Sequence, residues 1–76
     1  MTQTFTFSTG KTKQTSQAMA AVLAFTDKQP TKTLKASAAL LMEDFSEGAS
    51  VAFSAVLDCL ESRMTEQEFV TFTETL

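Results

Sequence analysis

The sequence predicts a small, mainly α domain (small α+β), a compact bundle of three to four short helices carrying an N-terminal β-strand or hairpin. Three observations predict it. Residues 2–9 set Thr2, Thr4, Thr6 and Ser8 against Gln3, Phe5, Phe7 and Thr9, a period of two in β-favouring residue types. Further along the chain the apolar residues recur at spacings of three and four, which is the helical period. Near the C-terminus, Thr65-Glu66-Gln67-Glu68 has the form of a capping box, in which a threonine hydroxyl and a glutamate satisfy each other's backbone amides.

Taken in order, Ser8-Thr9-Gly10 is a turn signal after the strand, and residues 11–14 either return as the second arm of a hairpin or run on toward a helix. Thr15 or Ser16 then caps a run of helix formers, Gln17 to Phe25, expected to make two to three turns and to end over residues 26–29. Pro30 breaks the chain, and Thr31 or Thr33 opens a second helix in which Leu34, Ala38, Leu41 and Phe45 form an apolar stripe widened by Leu40 and Met42. Gly48 is the expected stop or kink. A third helix from about Ser50 places Phe53, Val56, Leu57, Leu60 and Met64 on one face. The stretch after Thr65 alternates like a strand over residues 70–75, but the cap favours a short fourth helix sharing Phe69, Phe72 and Leu76.

With 76 residues, one domain spanning residues 1–76 is expected. A chain of this length buries only about 60–65% of its unfolded surface, so its margin of stability is small. Small scaffolds commonly add disulfides or a metal. Here Cys59 is the single cysteine and there is no histidine, which excludes an internal disulfide and a His/Cys zinc site. Cys59, inside an apolar helical pattern, reads as a small core residue. Met19, Met42 and Met64 read as adaptable core in the same way. No basic segment followed by an apolar stretch opens the chain, and no run approaches the roughly 20 apolar residues of a membrane span. The expectation is a cytoplasmic protein with no membrane partner.

Charge is unevenly divided. All five lysines lie in the first 35 residues against Asp27 alone, a net of +4; eight acids follow against Arg63 alone, a net of −7. The overall −3 and a pI near 4.6 conceal this split, which bears on partner choice and steering.

Four candidate sites come out of the sequence. Phe5-Thr6-Phe7-Ser8-Thr9-Gly10-Lys11-Thr12 ends like a phosphate-binding loop, but Phe5 stands where its first glycine should be and the next helix starts too late, so Gly10-Lys11-Thr12 reads as turn chemistry. Lys11 and Lys13, near Phe5 and Phe7, are the candidates for contact with an anion or a nucleic acid; the absence of arginine among the lysines and the low pI oppose that reading. An enzyme is not expected. Without histidine or tyrosine, acid–base work falls to carboxylates and lysines, Cys59 lacks an activating base, and the neighbours Glu43 and Asp44 would diverge on a helix. No cofactor motif and no calcium-loop spacing is present.

The fourth candidate is an acidic helical surface, Glu43, Asp44, Glu47, Asp58 and Glu61, presenting carboxylates to a basic protein partner. The expected function is therefore a non-enzymatic inhibitor or regulator, of the kind phages encode, that occludes a host nucleic-acid-handling enzyme. Two alternatives stand beside it: an oligomeric assembly or chaperone-like protein using its apolar helical faces and exposed strand, and a nucleotide or nucleic-acid binder acting through Lys11 and Lys13. The opposite-signed halves are also compatible with a homodimer.

Overall fold

The computed structural model describes residues 2–76. Its elements run β1 (Thr2–Thr6), β2 (Thr12–Ser16), α1 (Gln17–Thr26), α2 (Thr31–Leu41), α3 (Ala49–Arg63) and α4 (Glu66–Glu74), the small α+β architecture that the periodicities predict. Of the two routes open after residue 10, the chain takes the hairpin. β1 and β2 pair antiparallel with Thr2 opposite Ser16 and Thr6 opposite Thr12. Gly10 closes the turn at φ +94, a conformation that suits glycine, and its amide donates to the Phe7 carbonyl at 2.9 Å. The Gly-Lys-Thr run is thus spent on a hairpin turn.

Residues opposite each other in the ladder share a face, so Phe5 and Lys13 point the same way. That face turns toward the helices: Phe7 is buried, and Phe5 packs edge-on against it with ring centroids 5.0 Å apart.

α3 is the central helix, and α1 and α2 both pack on it. Leu23 of α1, Leu34 and Ala38 of α2, and Ala55, Val56, Cys59 and Leu60 of α3 make the buried cluster with Phe7. Each fully buried leucine contributes roughly 1.5–3 kcal/mol of transfer free energy. Phe53, Met64, Phe69, Phe72 and Leu76 pack around the cluster half-buried, so the aromatic face expected of the fourth helix does turn inward.

Of the three helix starts for which the sequence predicts a capping side chain, two follow the expected chemistry. Ser16 caps α1 by accepting from the Met19 amide, and Thr65 and Glu68 form the complete capping box of α4. α2 departs from expectation: Pro30 occupies its cap position without a side-chain bond, and neither Thr31 nor Thr33 caps it.

A larger correction concerns where α2 ends. The stripe Leu34, Ala38, Leu41, Phe45 predicts a helix running on toward Gly48, yet α2 stops at Leu41 and residues 42–48 form a loop. Phe45, expected in the core, is 94% exposed, and Leu40 and Met42, expected to widen the stripe, are also exposed. Asp44 supplies the physical reason. Its Oδ1 accepts from both the backbone amide and the hydroxyl of Ser46, at 2.9 and 2.6 Å, a local turn that competes with continued helix.

At the opposite end, Arg63 ties three segments together. Its guanidinium donates to the carbonyls of Asp27 and Gln29 at 2.7 and 2.8 Å and to Thr31 Oγ1 at 3.0 Å. Asp27 Oδ1, buried and without a hydrogen bond, lies 3.5 Å from the same guanidinium, while Asp27 Oδ2 accepts from the Ser8 amide of the hairpin turn at 2.7 Å. Among the described residues no helix is long and apolar enough to cross a membrane.

Candidate protein-contact site

The five acidic candidates divide into two groups. Asp58 and Glu61 belong to α3, while Glu43, Asp44 and Glu47 lie in the loop before it, so these three do not ride on a helix as the sequence reading supposes. Asp58 stands nine residues beyond the start of α3 at Ala49, about 14 Å along its axis, so no continuous acidic helical face joins the groups.

Asp58 is already engaged. The inward-facing Lys13 reaches across from the hairpin and its Nζ lies 2.6 Å from Asp58 Oδ2. Lys11, Lys13, Asp58 and Glu61 line one cleft with Phe7 and Ser62. The basic and acidic candidates, far apart in the chain, are thus folded against each other, and the sequence-level charge split is partly cancelled. A phosphate approaching Lys11 and Lys13 would meet two carboxylates at the same place, which weakens an anion site there. The remaining lysines are spread out; Lys35, for example, lies over the Phe72 ring at 5.9 Å.

The loop acids have no such partners. The ion pairs among the described residues are Lys13 with Asp58 and Arg63 with Asp27, so Glu43, Asp44 and Glu47 carry uncompensated charge. The two hydrogen bonds from Ser46 hold the Asp44 carboxyl below its usual range, so it is ionised at neutral pH. The same turn pushes Phe45 into solvent between the acids. Behind it, Leu41, Met42, Ala49 and Phe53 form an apolar recess.

A second apolar feature adjoins the first. α1 and α2 leave a groove between them, walled by Val22, Phe25, Ser37 and Leu41 and floored by Ala52 and Val56 of α3, with a volume of about 280 Å³ and no charged residue in its lining. Leu41 borders both this groove and the recess, which makes the apolar surface continuous from Phe25 to Phe45. Sequence reasoning misses this surface because helical spacing alone assigns Leu40 and Phe45 inward. The signal that could have exposed it is the Asp44-Phe45-Ser46 turn followed by Gly48, whose φ of +89 opens α3.

Cys59 is fully buried, as its setting predicts, and desolvation, helped by the charge of Asp27, pushes its thiol up to about 11. Among the described residues no three of the Asp, Glu and Cys side chains gather as a metal-binding group. The loop and the adjoining groove present exposed aromatic and aliphatic side chains edged by carboxylates that have no cation partner among the described residues. No protein-family model, no curated protein and no solved structure matches this chain.

Proposed function

We propose that the protein is a non-enzymatic inhibitor or regulator that binds a basic protein surface through the loop of residues 42–48. The single observation that carries this reading is Phe45, fully presented to solvent among three carboxylates that have no cation partner. An aromatic side chain supplies the anchoring energy of such a contact, and the surrounding charge supplies speed of encounter and selectivity. The partner of fitting chemistry is a protein with a lysine- and arginine-rich groove, as in nucleic-acid-handling enzymes, which the loop would occlude by lying where phosphates lie. Asp58 and Glu61 contribute less to this contact, because Lys11 and Lys13 stand beside them.

The test is affinity capture of a basic partner by the wild-type chain and by E43K/E47K, a variant that leaves the Asp44 turn intact. Wild type is expected to retain a partner whose affinity falls with added salt, and the double variant to lose it. Retention of the same partner by E43K/E47K, with unchanged salt dependence, would refute the reading.

A further inference from the structure

We infer that the apolar surface running from Phe25 to Phe45 is the interface of an antiparallel homodimer, in which the loop of residues 42–48 of each copy lies over the turn between α1 and α2 of the other. The occupant is a second copy because the surface is complementary to itself. The groove follows α2, an 11-residue helix about 16 Å long. At the start of α2 stands Lys28, beside the groove-lining Gln29; at its end stand Glu43, Asp44 and Glu47. All four are exposed and, among the described residues, free of ion pairs. A two-fold axis across α2 sets the acidic end of each copy against the basic end of the other, twice over. The same rotation brings Phe45 of one copy to Phe25 of the other, at the uncharged mouth of the groove.

The areas agree. Phe25, Leu40, Met42 and Phe45 are 70, 75, 45 and 94% exposed. Phe25, Met42 and Phe45, which line the groove and the recess, offer on the order of 400 Å² of surface, within the range of the largest patch on a typical monomer. With the rest of the groove lining this stays below the roughly 800 Å² that each partner buries in a standard interface, the scale of a weak, reversible dimer. The chain exposes 5095 Å² in all, against about 4600 Å² expected of a monomeric protein of 8.3 kDa. A basic partner and a second copy would compete for the acidic loop, but the dimer is measured on the purified protein alone, so its failure leaves the proposed function standing.

Sedimentation equilibrium from about 1 µM to about 1 mM, a span that covers weak and moderate dissociation constants, reads the result. The wild-type mass is expected to rise from 8.3 kDa toward twice that value. F45S removes a side chain with almost no contacts in the monomer, so it should fold normally while weakening the dimer about tenfold or more. K28E and E43K should each weaken it, and the double variant K28E/E43K should restore it to within about threefold of wild type. A wild-type mass that stays at one chain throughout, or a dimer indifferent to F45S and to the charge swap, would overturn the inference.

Discussion

The two ends of α3 show opposite uses of side chains. At its C-terminal end, Arg63 gathers the carbonyls of Asp27 and Gln29 and the Thr31 hydroxyl, and Asp27 in turn holds the hairpin turn through the Ser8 amide. At its N-terminal end, Asp44 spends its carboxylate on Ser46 two residues away, and Phe45 and its neighbours face solvent. One end converts long-range polar bonds into fold; the other uses a local turn to hold apolar groups out of the fold. The comparison teaches that apolar content alone does not locate the core of a chain this small.

If this contrast is right, substitutions should cost stability according to the end they touch. The largest loss is expected for L60A, which empties a fully buried site beneath all three long helices; about 2–5 kcal/mol should appear in urea unfolding. R63A should follow at about 2–3 kcal/mol, because it strips charged hydrogen bonds from two carbonyls and leaves the buried Asp27 Oδ1 without its countercharge. R63K sharpens the point: it keeps the charge but lacks the fork that reaches three oxygens, and should recover only part of that loss.

A smaller effect is expected at the capping box. T65A should cost about 1 kcal/mol. The hydrogen bond from the Thr65 amide, aided by the Thr65 side chain, holds the Glu68 carboxyl below its ordinary 4.5 in the folded chain. The unfolded chain therefore binds the proton first as pH falls, so the stabilisation is complete above about pH 5.5 and is lost as pH drops through the lowered folded value. Asp44 acts in the same direction through Ser46. Urea titrations of wild type and E68Q, which removes the titrating carboxylate and leaves the Thr65 hydroxyl cap in place, should converge between pH 6 and pH 2.5 toward the acid end; parallel curves would show that the box does not carry the pH dependence.

Much of the fold was legible because local chemistry and global packing agree. The alternation around Phe5 and Phe7, the glycine turn, the Ser16 cap and the Thr65-to-Glu68 box each state the element they form. The end of α2 was not legible because two local signals conflict there: the spacing of Leu34, Ala38, Leu41 and Phe45 is helical, while Asp44 and Ser46 favour a turn, and the turn prevails. For the candidate site, Glu43, Asp44 and Glu47 could be picked out by their charge, but not their release from the helix or the apolar surface beside them. Lys13 and Asp58 pair across 45 residues, and Arg63 reaches back 34 and 36, distances over which no periodicity carries information.

The most direct measurement is the thermal midpoint of wild type and F45S as a function of protein concentration. If the Phe45 end is a contact surface and the Arg63 end is the fold, the wild-type midpoint should rise with concentration, and that of F45S should stay nearly level and meet it at high dilution. A wild-type midpoint independent of concentration, or an F45S chain that melts well below wild type even at high dilution, would contradict that division of labour.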